Sequence, residues 1–425
     1  MIEGGRLIDH VAARRAGPRC RFCDAALRHT FVDLGMSPLA ESYVRAEQEN
    51  QVEPFYPLRA YACERCFLVQ LEEYVSPREI FGEYAYFSSY SDSWLRHAQA
   101  YADMAVERFR LDGRSLVVEV GSNDGYLLRS FVAKGVPVLG IEPAANVAEA
   151  AVGQGVPTLI RFFDEPTARE LAATGRRADL LIGNNVLAQV SDLNGFVRSL
   201  KILLQPGGAV TMEFPHLLRL IEETQFDTIY HEHFSYFSFL TAQKIFAAHG
   251  LTVFDVDELP THGGSLRIYA CHAEDVAHAV SDRVTELRAR EAHAGLTRIE
   301  TYSAFAEDVK ETKRKLLEFL IEAKRKGKTV VGYGAPGKGN TLLNYCGIRT
   351  DFIDYTVDRN PYKQGKFLPG THIPIVHPDR IRETRADYVL ILPWNLKEEI
   401  MAQIAYIRGW GGQFVVPIPQ VAVYP

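Results

Sequence analysis

No run of about eighteen apolar residues occurs in this 425-residue sequence, so no membrane-spanning helix is expected. Positive charge is not in excess either. Lys and Arg number 47 against 53 Asp and Glu, a formal charge of −6, which removes the electrostatic basis for broad binding to nucleic acid or an anionic membrane. The opening residues, MIEGGRLIDHVAARRAGP, lack the apolar stretch of a secretory leader, and a cytoplasmic protein is the expectation. Cysteine is scarce: Cys20 with Cys23, Cys63 with Cys66, and single Cys271 and Cys346. Two tight pairs and two singles do not make a disulfide framework and suit a reducing compartment. Repeats, low-complexity tracts and Ser/Gly linkers are also missing. What is left, 47% hydrophobic and 24% charged, is an ordinary globular chain of about three domains.

The first segment holds RCRFCDAAL and YACERCFLV, with residues 24–62 between the cysteine pairs. Each C-x2-C turn converges two thiolates, and two such knuckles complete the four-sulfur tetrahedron that Zn²⁺ prefers. Cys20, Cys23, Cys63 and Cys66 are therefore read as a closed, structural zinc site. A redox C-x-x-C would not need a duplicate.

The second segment reads strand, Gly-rich turn, helix: SLVVEVGSNDGYLLRSFVAKG, then PVLGIEPAANVAEAA. Gly121 and Gly125 let backbone approach a ligand, and Asn123 is the non-glycine residue that best tolerates a left-handed conformation between them. Glu142 ends the next strand, placed for a ribose diol, with Pro143 after it. The glycine spacing departs from the dinucleotide fingerprint, and Glu119 precedes the turn where an adenosylmethionine site uses an acid, so S-adenosylmethionine is favoured over NAD. Tyr126 opens the following helix. Phe163 and Asp164 in RFFDEP offer an aromatic wall and an acid beside adenine, although Phe162 and Phe163 also suit plain core. Asn184 and Asn185 close the strand of LLIGNNVLAQV at the sheet edge where α/β ligands sit.

After a charged helical region at 280–327, strands alternate with helical or loop stretches and predict a second doubly wound sheet. Gly332, Gly334 and Gly337 spell G-x-G-x-x-G, with Asp358 further on. Pro336 removes a backbone donor from any phosphate cradle, while Lys338 and Asn340 add a cation and an amide suited to a diphosphate. A substrate nucleotide, NAD, or a turn that serves only helix–sheet packing all fit. In HGGSLRIY, His262 and Arg267 also suit a diphosphate, or the glycines simply bend the chain before a buried strand.

YHEHFSYF places Tyr230, His231, Glu232 and His233 in a row, four hydrogen-bonding or proton-handling groups in an aromatic setting. His231 is read as a core residue, the usual role of a histidine set between aromatics. Taken together, the cysteine pairs, VEVGSNDGYLL, NNVLA, YHEHFSYFS and GAPGKGNTLLNYCG resemble the zinc-containing sugar C-methyltransferases over nearly the whole chain. The resemblance implies an α/β protein in three parts: a zinc module (1–78), a Rossmann-like S-adenosylmethionine domain (79–295) and a second Rossmann-like domain for the nucleotide sugar (296–425). It implies methylation, typically at C3, of a dTDP-linked 4-keto deoxysugar. A nicotinamide-dependent sugar oxidoreductase, a non-catalytic relic and methylation at another carbon such as C5 stay open beside it.

Residue by residue the resemblance carries over to Tyr230, Glu232 and His233, and to Tyr84 in EYAYFSSYS, with Tyr86 and Ser88 assigned to the sugar. His233 is taken as the base, because a neutral imidazole titrates near neutrality. Glu232 is expected to orient it, and Tyr230 and Tyr84 to donate to the keto oxygen. Gln189 stands where related sequences carry a histidine, and glutamine moves no proton. A small-molecule nucleotide sugar as partner and a monomer or weak homodimer complete the expectations.

Overall fold

The computed structural model describes residues 17–82, 88–90 and 92–425. Among these, seven strands form the central sheet, in spatial order Leu251–Leu259, Ser265–His272, Leu204–Pro215, Ala178–Asn184, Val117–Val120, Val138–Ile141 and Thr158–Leu159. The last five of that order run parallel, and the first two pair antiparallel at one edge. Val117–Val120 and Val138–Ile141 are buried at every position, as continuous apolar runs covered on both faces must be. Ligands of such sheets sit beyond the carboxyl ends of the strands, and there the chain turns through Gly121 (φ +66°), Asn123 (φ +49°) and Gly125 (φ +75°).

The C-terminal sheet orders Ile375–Val376, Thr356–Val357, Val330–Tyr333, Tyr388–Ile391, Gln413–Val416 and Ala422–Tyr424, parallel except at the last pair. The charged region predicted as one stretch is two helices, Asp282–His293 and Ile299–Arg325, broken at Gly295, whose φ of +88° no helix allows. Along the longer helix Tyr302, Phe305, Val309, Leu316 and Leu320 are buried at helical spacing. They cover the N-terminal strand His29–Ser37, where Phe31 stacks on Phe305 at 4.4 Å. Each such buried aromatic contributes about 2–3 kcal/mol. No helix among the described residues is long and apolar enough to cross a membrane.

The three parts interlock. The antiparallel sheet of His29–Ser37, Tyr56–Ala62 and Val69–Leu71 takes its fourth strand, Ser235–Tyr236, from the YHEHFSYF segment. Val44–Arg45 pairs with Lys366–Phe367 far along the chain. Instead of an extended strand, residues 230–233 form a tight turn in which His233 N–H donates to the Tyr230 carbonyl at 2.9 Å. The N-terminal sheet thus anchors one end of that turn.

Candidate active site

One cavity of about 790 Å³ is walled by residues from all three parts. Its cofactor side contains Gly121, Asn123, Tyr126, Glu142, Pro143, Phe162, Phe163, Asp164, Asn184 and Asn185. Gly121 must be glycine here, because a Cβ would lie 2.3 Å from Val186 Cγ2. Glu142 accepts from the backbone N–H groups of Asn123 and Ala144, both at 2.9 Å, so it braces the turn while lining the cavity. Asp164 caps the helix Glu165–Ala173 through Thr167 N–H at 2.9 Å. Phe163 meets Phe196 edge-on at 5.7 Å, so it serves both wall and core.

The lining also holds Tyr230, Glu232, His233, Gln189, Thr228, His262 and Ser88, joined by Glu41 from the N-terminal part and by Gly337, Lys338, Lys363 and Asn395 from the C-terminal part; His262 and Ser88 sit beside the cofactor residues, bonded to Asn185 and Asn123 at 3.0 Å. Tyr230 lies over His233, ring centroids 4.2 Å apart. His233 Nδ1–H donates to the Thr228 carbonyl at 3.1 Å, which leaves Nε2 as an acceptor. Burial holds this imidazole down at about 4, helped by His262 and Lys338. The near-neutral value expected from sequence is therefore corrected: the ring stays neutral because a buried cation there has no anion beside it. No hydrogen bond joins Glu232 to His233, whose Nδ1–H is taken by the Thr228 carbonyl. Burial and the neighbouring Glu41 push the Glu232 carboxyl up to about 8, with Lys363 opposing, so it is protonated at neutral pH. Lys338 comes down to about 8 on burial, with Asp227 opposing; its Nζ donates to Asn395 Oδ1 at 2.8 Å and lies 4.5 Å from the Trp394 ring centroid.

These values fix the sign of one pH effect. An unfolded histidine takes a proton near 6.5, whereas His233 resists until about 4, so the unfolded chain binds more protons between those values and stability falls as pH drops from 6.5 to 4. In urea unfolding at pH 7 and pH 5, His233→Gln should lose less stability on acidification than the wild type. An equal or steeper loss would show that the imidazole is not held neutral.

The four cysteine Sγ atoms lie within 4.8 Å of one another, with Cys20–Cys66 and Cys23–Cys63 at 3.5 Å. Tetrahedral zinc with Zn–S bonds of about 2.3 Å needs sulfur edges of about 3.8 Å, so the set fits. Asp24 and Phe67, each following a second cysteine, adopt φ of +58° and +65°, and the two knuckles close alike. Gln70 Nε2 adds a donor 3.2 Å from Cys20 Sγ. The knuckle also holds the cavity: Arg21 donates to the Ser191 carbonyl at 3.1 Å, and Asn194 donates to the carbonyls of Arg21 and Phe22. Removing zinc or substituting Cys63→Ser should therefore cost several kcal/mol of stability and also weaken adenosylhomocysteine binding through loop 189–192. Metal analysis should find about one equivalent of zinc, and a metal-free protein with unchanged melting and cofactor affinity would refute this.

Several expected residues lie elsewhere. Glu119 is fully buried beneath the turn, where burial, Glu142 and Asp124 push its carboxyl well above the usual range, and Gly125 packs on Val156 and Ala151; neither lines the cavity. Arg267 is not free for a diphosphate, since it pairs with buried Glu213 at 2.6 Å and stacks on Tyr101. Asn340 donates to the Ala40 carbonyl, and Gly334 abuts Pro393. Gly332 abuts Thr356, and the Asp358 carboxylate is taken by the N–H groups of Ala335 and Asn360. The glycine motif thus serves close packing, apart from Gly337. Tyr84 and Tyr86 fall outside the described residues. His231 accordingly packs as core, Nε2 at 3.2 Å from the Pro57 carbonyl. Sequence reasoning missed Glu41, Lys363, Asn395, Trp94 and His97. No local pattern marks them: Glu41, Lys363 and Asn395 reach the wall only because the three parts interlock, and Trp94 and His97 only because their helix packs against the central sheet.

Three family models match the chain in order: a zinc binding domain (residues 20–81), a methyltransferase domain (94–256) and a C-methyltransferase C-terminal domain (260–419). The chain is 37% identical to C-methyltransferase NovU of Streptomyces niveus, over 95% of this chain and 96% of that protein. A ubiquinone biosynthesis O-methyltransferase of Azorhizobium caulinodans is 27% identical over 25% of this chain and 45% of its own length. Among solved structures, magnesium protoporphyrin IX methyltransferase of Synechocystis PCC 6803 aligns with a TM-score of 0.34 at 16% identity, covering 45% of this chain and 91% of that one.

Proposed function

Because the chain belongs to the S-adenosylmethionine-dependent C-methyltransferases that carry an N-terminal zinc-binding domain, we propose that it methylates a ring carbon beside the ketone of a dTDP-linked 4-keto deoxysugar, at C3. One observation carries this reading: a single cavity joins the cofactor turn, the Tyr230–His233 turn, and Lys338 and Lys363 of the C-terminal part. The turn at 121–125 seats the donor, whose sulfonium supplies an electrophilic methyl group. The two lysines suit the charge of a nucleoside diphosphate.

Carbon becomes nucleophilic only after losing a proton, and a neighbouring ketone makes that proton removable if the enolate oxygen is held. In this reading a neutral imidazole of the wall takes the proton; the motif supplies His233, whose Nε2 is an acceptor. Tyr230 and Tyr84 donate to the keto oxygen, and protonated Glu232 adds a third donor. Gln189 hydrogen-bonds the sugar without moving protons.

Release of adenosylhomocysteine from a dTDP-4-keto-6-deoxyhexose and from its 4-hydroxy counterpart tests the ketone requirement. Turnover confined to the ketone is expected, and equal turnover of the alcohol would overturn the reading.

A further inference from the structure

Outside the reacting groups lies one buried carboxylate, Asp227. It belongs to the turn Phe226–Thr228 of the middle part, has no exposed surface, and accepts from the Trp394 indole Nε1–H of the C-terminal part at 2.7 Å. Burial pushes its carboxyl up to about 6, with Lys338 opposing, and the Lys338 ammonium comes down to about 8 on burial, with Asp227 opposing. Both are therefore charged at neutral pH. A buried anion is unfavourable unless a cation answers it, and the cation here is Lys338, on the other side of the indole.

That indole is fixed on three sides. A Cβ on Gly263 would lie 2.5 Å from Trp394 Cη2, so the benzo edge packs against this glycine, whose carbonyl accepts from Gln225 Nε2 at 2.7 Å. The N–H edge ends on Asp227, and over one face Lys338 Nζ sits 4.5 Å from the ring centroid. An indole that donates to a carboxylate gains ring electron density and holds a cation more firmly. Asn395 Oδ1 takes one of the three ammonium hydrogens at 2.8 Å. The side left for a ligand is the one toward the cavity, which Lys338 and Asn395 line and Trp394 does not.

We propose that Asp227, acting through the Trp394 indole, is the positioning residue that holds the Lys338 ammonium at the cavity wall to receive a nucleoside diphosphate. The assignment rests on the diphosphate role of Lys338 read above. Asp227 touches no reacting atom. Thr228, the next residue, holds the His233 imidazole through its carbonyl at 3.1 Å, so one short segment sets both the base and the cation for the nucleotide.

Calorimetric titration of dTDP into the full-length, zinc-loaded protein saturated with adenosylhomocysteine tests this. In Lys338→Met, a loss of at least about 30-fold in dTDP affinity supports the diphosphate role, and wild-type affinity sinks that role and this assignment together. Given that loss, Asp227→Asn, which keeps an acceptor for the indole but no charge, should weaken dTDP about tenfold with adenosylhomocysteine affinity within about threefold. Trp394→Phe, which keeps a ring under the ammonium but no N–H, should lose a similar factor. The double variant Asp227→Asn/Lys338→Met separates positioning from mere support of the fold: a carboxylate that works through Lys338 adds less than about threefold to the loss from Lys338→Met alone. Should Asp227→Asn fail to fold, the same cycle is run with Trp394→Phe. Losses that multiply in the double variant, or wild-type dTDP affinity in Asp227→Asn or Trp394→Phe, overturn the proposal.

Discussion

Gly121→Ala is expected to weaken adenosylhomocysteine binding about 100-fold, or by about 2.7 kcal/mol. Two causes add. The residue sits at φ +66°, where a side chain costs about 1–2 kcal/mol, and the new Cβ would meet Val186 Cγ2 at 2.3 Å. Val186 itself lines the cavity, so relief of the clash comes by moving either the cofactor turn or the wall across from it. Gly135 separates the two causes. Its φ is +74°, yet nothing lies within 4 Å of an added Cβ, so Gly135→Ala should lose similar stability and leave cofactor affinity unchanged. Calorimetric titration of both variants decides it: wild-type affinity in Gly121→Ala would mean that the cofactor sits elsewhere.

Glu232→Ala is expected to lower kcat by about 100-fold or more with adenosylhomocysteine affinity unchanged, the usual cost of deleting one donor from a site that stabilises an oxyanion. Buried beside Glu41, the Glu232 carboxyl keeps its proton to about pH 8, so it can donate to the keto oxygen where an ionised carboxylate would repel the developing charge. The sign follows: turnover that needs the protonated form falls as pH rises through about 8. Glu232→Gln stays neutral and keeps an N–H donor, so it should recover part of the rate and lose that alkaline fall. A Glu232→Gln profile that still falls at the same pH would assign the limb to another group, and wild-type kcat in Glu232→Ala would remove this residue from the chemistry.

The features legible in the sequence are those settled within a few residues. A C-x2-C knuckle is closed by its own backbone, and Gly121, Asn123 and Gly125 announce their left-handed geometry by residue type. Regular burial along Val117–Val120 and along Ile299–Arg325 follows from periodicity. What could not be read depends on which distant segment packs where. Glu41 and Lys363 become neighbours, 3.5 Å apart, because the N-terminal part pairs with residues 366–367. Arg267 looked like a phosphate ligand beside two glycines, yet its strand buries it against Glu213. Gly332 and Gly334 matched a nucleotide motif, but Thr356 and Pro393 occupy the space a ligand would need. His97 sits in an amphipathic helix like any surface histidine until the strand carrying Glu213 is placed beside it.

The most direct measurement is NMR of the sugar product made with S-adenosylmethionine carrying a ¹³C methyl group and a dTDP-4-keto-6-deoxyhexose. The labelled methyl should be bonded to the ring carbon at position 3, beside the ketone, in place of the hydrogen lost there. A label on oxygen or nitrogen, or a sugar left unlabelled while adenosylhomocysteine accumulates, would contradict the account.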